Sequence, residues 1–169
     1  MFGWIQMGEK GGGILKGLKD WILVTSKNET YSYTDILMGV LTKKRPKRIL
    51  EWGPGRSTML MHDLLPDSQI NSVEHDWKWY LRWLLGIRGV NLHYIKLDGG
   101  YASPDFPEKY FDFIFIDGKQ RVKCMKTALR LLKDNGLLML HDSNREKYRE
   151  GIKLFKIVEK KGNTILLKK

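Results

Sequence analysis

The stretch Arg48-Ile49-Leu50-Glu51-Trp52-Gly53-Pro54-Gly55-Arg56-Ser57-Thr58 constrains this chain more than any other. It reads as a buried strand that runs through a glycine turn into a helix. About twenty residues on, a spacing typical of nucleoside-binding units, Ile70-Asn71-Ser72-Val73-Glu74 ends a second strand with an acid. Glycines there let the backbone approach a ligand closely, and the acid can hold ribose hydroxyls. Together they build a nucleoside pocket, and the expected ligand carries adenosine.

The alternation of strand and helix continues, which implies a mostly parallel, doubly wound sheet between two helical layers. The expected strands are Arg48 to Trp52, Ile70 to Glu74, Asn91 to Ile95, Phe111 to Ile116 and Gly136 to Leu140. The expected helices run from Ser57 to Leu65, from an Asp76 cap to Leu85, and from Val122 to Leu132 with Gly136 as its terminal cap. Beyond Leu140 only Ser143 to Glu150 is available for a helix. A hairpin of Ile152 to Glu159 and Asn163 to Leu167 then turns at Lys161-Gly162-Asn163. The N-terminal part holds Gly11-Gly12-Gly13 and an amphipathic stretch from Tyr33 to Leu41.

Composition sets limits. A chain of 169 residues, 42% hydrophobic and 29% charged, suits one globular domain. No apolar run approaches the roughly 18 residues a membrane helix needs, and the N-terminus lacks the pattern of a secretory signal, so the expected address is the cytoplasm. The single cysteine, Cys124, reads as a buried structural residue. A net charge of +11 invites a nucleic-acid reading. Its distribution weakens that reading: Lys43 to Arg48, Lys119 to Lys133 and Arg145 to Lys169 carry clusters but no nucleic-acid motif.

The choice between adenosine cofactors turns on detail. The third glycine of a dinucleotide fingerprint would fall at Thr58, which argues against NAD. Glu51 instead sets an acid-x-Gly-x-Gly pattern, and here the sequence resembles the class I S-adenosylmethionine-dependent methyltransferases. Phe111-Asp112-Phe113-Ile114-Phe115-Ile116-Asp117-Gly118 and Asn135-Gly136-Leu137-Leu138-Met139-Leu140-His141-Asp142 look like that family's fourth and fifth strands, and the C-terminal hairpin looks like its sixth and seventh. The resemblance covers about Arg48 to Tyr148. With Arg121, Cys124, Arg145 and Tyr148 it looks closest to small-molecule or glycan O-methyltransferase-like branches.

The resemblance implies a Rossmann-like α/β domain over residues 48–169, with an N-terminal segment, residues 1–47, whose helix packs near the cofactor site. It implies S-adenosyl-L-methionine as cofactor, held by Glu51, Trp52, Gly53, Gly55, Ser57, Thr58, Glu74, His75, Asp98 and Asp117. His75 reads either as an adenine neighbour or as a simple loop histidine, and Asp98 either as an adenine contact or as a turn former in Leu97-Asp98-Gly99-Gly100. Trp79 and Trp83, four residues apart, read as core packing, with Trp77 and Tyr80 toward the adenine.

Methyl transfer to a hydroxyl needs an aligned acceptor and a means to remove its proton. Asp117, His141 and Asp142 are the candidate catalytic residues. Three readings stand: Asp117 or His141 as a general base, all three as ligands of a divalent ion, or a structural His-Asp pair. Arg121 and Arg145 read either as holders of an anionic substrate group or as surface charges. The expected substrate is a small molecule or glycan. The rival readings are an RNA or protein methyltransferase that uses the basic surface, and a non-catalytic regulatory protein that binds the cofactor.

Overall fold

The computed structural model describes residues 33–169. The Gly11-Gly12-Gly13 start, and with it residues 1–32 of the expected N-terminal segment, lies outside the described residues. A seven-stranded sheet organises the rest. β1 (Arg48–Trp52), β2 (Gln69–Glu74), β3 (Asn91–Tyr94), β4 (Phe111–Ile116) and β5 (Leu132–Leu140) run parallel. β6 (Lys156–Lys161) and β7 (Thr164–Lys168) form an antiparallel hairpin, and β7 joins the sheet beside β5. The order is β3-β2-β1-β4-β5-β7-β6.

The helices are α1 (Thr34–Lys43), α2 (Arg56–Leu64), α3 (Trp77–Gly86), α4 (Arg121–Leu131) and the short α5 (Arg149–Ile152), which follows a 3-10 turn over Glu146–Tyr148. Leu37 and Leu41, about one helical turn apart, are fully buried, and Ile36 and Val40 are nearly so; through this face α1 meets α2 and β7. Among the described residues no helix is long and apolar enough to cross a membrane.

The core is the sheet's centre. In β4, Phe111 and the unbroken apolar run Phe113 to Ile116 are completely buried, as a strand between two helical layers must be, and only Asp112 interrupts it. Each contributes about 1.5–3 kcal/mol by leaving water. Cys124 lies in this core, where burial pushes its thiol up to about 12 and Lys119 O accepts from Sγ at 3.4 Å.

Three local expectations need correction. Gly136 does not cap α4: the helix passes straight into β5 at Leu132, and Gly136 lies within that strand. Pairing with β4 breaks after Phe111↔Leu132 and resumes at Phe113↔Leu137, so residues 133–136 bulge out. A Cβ on Gly136 would come within 2.7 Å of Leu132 Cγ, so glycine answers the bulge's crowding. Second, Ile152 ends α5, and β6 starts only at Lys156, with Gly162 at φ 54° in the hairpin turn. Third, α3 buries no residue completely; Trp79 is 40% exposed and Trp83 only half-buried, so the pair does not pack into the core. At the sheet's far edge, every residue of β6 is exposed, and its register with β7 shifts between Ile157 and Glu159.

Candidate cofactor and catalytic site

In an open parallel sheet, ligands sit beyond the carboxyl ends of the strands where strand order reverses. Here β1 lies between β2 and β4, so the loops after β1 and β4 define that point. Gly53 takes φ 91°, and a Cβ on it would come within 2.9 Å of Gly118 Cα and N. The two loops thus cross backbone to backbone. A Cβ on Gly55, in contrast, would meet nothing within 4 Å. The loop's second glycine faces open space, as a backbone that receives a ligand requires.

Glu51 supports this loop from beneath. It has no exposed surface and accepts hydrogen bonds from the hydroxyls of Ser57 and Thr58, both at 2.5 Å, and of Ser72 at 2.8 Å. Thr58 Oγ1 in turn accepts from Gly55 N at 2.8 Å. Complete burial pushes the Glu51 carboxyl up to about 7, against the three hydroxyls that pull it down. Trp52 is also fully buried and donates from Nε1 to Tyr101 O at 2.9 Å. The side chains of Glu51, Trp52, Ser57 and Thr58 therefore form the floor of the loop, and its backbone forms the upper surface.

Glu74, 4% exposed, ends β2. Its Oε1 accepts from the amides of His75 and Asp76, both at 2.6 Å. His75 Nδ1 lies 2.8 Å from the same oxygen without the alignment of a hydrogen bond. All these contacts fall on Oε1, so among the described residues Oε2 has no hydrogen-bond donor and could accept from a ligand hydroxyl. The His75 ring meets Tyr101 edge-on at 5.3 Å. Asp76 caps α3 by accepting from Trp79 N, and the Trp79 indole donates to Pro54 O at 2.7 Å, which ties the helix to the glycine loop. Asp98 is exposed in the turn that Gly99 N closes onto Lys96 O.

Asp117 and His141 come together at the ends of β4 and β5, with His141 Nδ1 2.9 Å from Asp117 Oδ1. A carboxylate acceptor on Nδ1 sets the tautomer that carries its proton there, which leaves Nε2 as the basic nitrogen. Arg121 closes the arrangement from α4. Only 8% exposed, it donates to the carbonyls of Gly118, His141 and Asp117, bonds Asp117 Oδ1 at 3.0 Å, and lies 3.3 Å from Asp142 Oδ2. Arg145 Nη2 reaches the same Asp142 oxygen at 2.7 Å. Arg121 is thus neither a free anion holder nor a surface charge: it is the buried cation that joins the two strand ends.

This arrangement does not fit a divalent metal at Asp117, His141 and Asp142. Among the described residues no three such donors converge. The Arg121 guanidinium stands between the two carboxylates, His141 Nδ1 is committed to Asp117, and Asp142 is turned onto two arginines. A metal would have to displace a buried, multiply bonded cation.

Sequence reasoning did not single out Tyr101, Ser72 or Tyr33. Tyr101 is fully buried, its hydroxyl accepts from Lys119 N at 3.3 Å, and a Cβ on Gly118 would come within 2.0 Å of that oxygen. It joins the loops after β2, β3 and β4. The available signal was an aromatic residue directly after Gly99-Gly100. Tyr33, just before α1, meets the His141 ring edge-on at 5.2 Å.

No protein-family model matches this sequence, and neither does any curated protein. Solved structures do. An SAH-bound methyltransferase from Podospora anserina is 17% identical, with 97% of this chain and 90% of that chain covered and a TM-score of 0.59. A methyltransferase from Geobacter sulfurreducens is 16% identical over 96% and 91% of the two chains, with a TM-score of 0.62. A putative caffeoyl-CoA O-methyltransferase from Staphylococcus aureus is 18% identical over 92% of each chain, with a TM-score of 0.61. What is shared at such identities is the fold: the chain has the Rossmann-like fold of the class I methyltransferases.

Proposed function

We propose that the protein is an S-adenosylmethionine-dependent methyltransferase acting on a hydroxyl of a small molecule or glycan, with His141 as a metal-free general base. The single observation that carries this reading is the Asp117–His141 pair at 2.9 Å, set at the strand-order switch beside the glycine loop. The site's own groups suit the cofactor: open space at Gly55, and Glu74 with one oxygen left for ribose hydroxyls. The Podospora anserina methyltransferase carries SAH in its crystal structure, which supports the same ligand for this chain.

When bound, S-adenosylmethionine would supply an electrophilic methyl group and leave as S-adenosylhomocysteine, with the electron pair of the broken carbon–sulfur bond on sulfur. Glu74 would hold the ribose, and the backbone at Gly53 and Gly55 would receive the methionine end. Glu51, Ser57 and Thr58 act through the loop, as positioning residues. His141 Nε2 takes the acceptor's hydroxyl proton as the carbon–oxygen bond forms, and Asp117 stabilises the resulting imidazolium. Arg121 holds Asp117 and the ends of β4 and β5 in place throughout.

The test is calorimetric titration with S-adenosylhomocysteine, with NAD as control. Saturable binding that Glu74→Ala weakens at least tenfold, about 1.4 kcal/mol, supports the reading; binding of NAD alone sinks it. A second reading, an RNA methyltransferase, is favoured by one observation. A groove of about 960 Å³ at the amino ends of the strands is lined by Lys43, Lys44, Arg45, Lys47, Lys156 and Lys168. RNA affinity that falls steeply with salt and depends on these residues would move that reading forward.

A further inference from the structure

A separate cavity of about 320 Å³ lies between the start of α4 and the segment after β5. Gly118, Lys119, Arg121, Lys123, Arg145 and Lys147 line it, with Tyr148 at one wall. Its charges are unevenly compensated. Arg121 is engaged by Asp117 and Asp142, and Arg145 by Asp142. Among the described residues, Lys119, Lys123 and Lys147 make no ion pair with a carboxylate, and Lys147 instead lies 5.3 Å over the Tyr148 ring. Three ammonium groups around one small concavity repel each other, and an anion placed among them removes that repulsion.

Location gives the cavity its meaning. Arg121 belongs to its wall and bonds Asp117 Oδ1 at 3.0 Å, and that same oxygen bonds His141 at 2.9 Å. The wall is two hydrogen bonds from the proposed base. Its volume sits at the lower end of the roughly 300–1,000 Å³ range of ligand sites, enough for one ring-sized unit and too small for a polymer strand. We propose that this cavity is the acceptor's anion subsite, which takes a carboxylate or phosphate group of the small acceptor whose hydroxyl is presented to His141. The assignment to an acceptor rests on the methyltransferase reading above; the anion site itself does not.

The test is an amide chemical-shift titration of the full chain with inorganic phosphate, and separately with acetate, at ionic strength held constant by sodium chloride. S-adenosylhomocysteine is titrated in parallel by calorimetry. The expected result is saturable shifts at Gly118, Lys119, Lys123 and Lys147, with anion affinity at least tenfold weaker in Lys119→Gln/Lys123→Gln and cofactor-product affinity kept within twofold. Tighter phosphate than acetate binding assigns a phosphorylated acceptor, and the reverse a carboxylate. Shifts as strong at Lys43 to Lys47 as in the cavity, or affinity unchanged in the double variant, would overturn the subsite. So would a short single-stranded RNA that displaces phosphate while shifting Lys43 to Lys47. Phosphate binding in the cavity without any S-adenosylhomocysteine binding would remove the acceptor role and the methyltransferase reading, yet leave an anion site.

Discussion

Glu51 makes folding stability depend on pH in a direction opposite to that of most carboxylates. Its carboxyl is fully buried under three hydroxyls, and burial pushes it from the ordinary 4.5 up to about 7. The folded chain therefore keeps a proton that the unfolded chain releases. Below about 4.5 both states are protonated and stability is complete. As pH rises toward 7 the unfolded state ionises first and stability falls, and above about 7 the loss is constant. A rise from 4.5 to about 7, at roughly 1.4 kcal/mol per pH unit, corresponds to about 3–4 kcal/mol. For a domain of this size that amounts to roughly 6–16 °C in melting temperature. Glu51→Gln keeps the shape and removes the titration. Thermal unfolding of both proteins at several pH values from 4 to 8 isolates the effect, because every other titrating group cancels in the difference. The variant should gain on the parent steadily between about pH 5 and 7. Two profiles that stay parallel across this window would refute the argument and mean that the hydroxyls hold Glu51 ionised.

Other consequences concern the site. With any hydroxyl acceptor the protein turns over, His141→Asn should lower kcat by about 10²–10⁴ with S-adenosylhomocysteine affinity unchanged, and chelators should have no effect; an undiminished rate would exclude the base. Arg121→Ala leaves two partly buried carboxylates without their cation and should cost about 3–5 kcal/mol in urea unfolding. Gly118→Ala brings a Cβ within 2.0 Å of the Tyr101 hydroxyl and should cost about 1–3 kcal/mol. Tyr101→Phe should recover part of that loss, so a double-mutant cycle without coupling would contradict the packing described.

Much of the fold was legible because it rests on short-range pattern. β1 and β4 have the bounds expected from the sequence, Arg48 to Trp52 and Phe111 to Ile116, and the Asp76 cap acts as its residue type predicts. That Glu74 closes β2 was legible in the sequence too. Arg121 was not, because its partners at Gly118, Asp117, His141 and Asp142 are assembled only once β4 and β5 lie side by side. The same limit explains the metal reading: Asp117, His141 and Asp142 carry donor atoms in the right order, and only the position of a guanidinium shows that they do not converge. Trp79 and Trp83 share a helical face, yet spacing along a helix says nothing about whether another element covers it. Asn135-Gly136 looks like a helix end, and only its pairing partner reveals a bulge.

The outermost strand has a consequence for how many copies of this protein can share a solution. A terminal strand offers unpaired amides and carbonyls to any other chain, and Ile157 and Val158, both well exposed, would make such an addition adhesive. Lys156, Lys160 and Lys161 lie on the same strand, and its pairing is irregular between Ile157 and Glu159. A second copy approaching edge to edge would bring like charges into register along a row that is no longer straight. Lys161 is paired with Asp35, so the repulsion falls to Lys156 and Lys160, and exchanging these two for threonine should make addition along this edge easier.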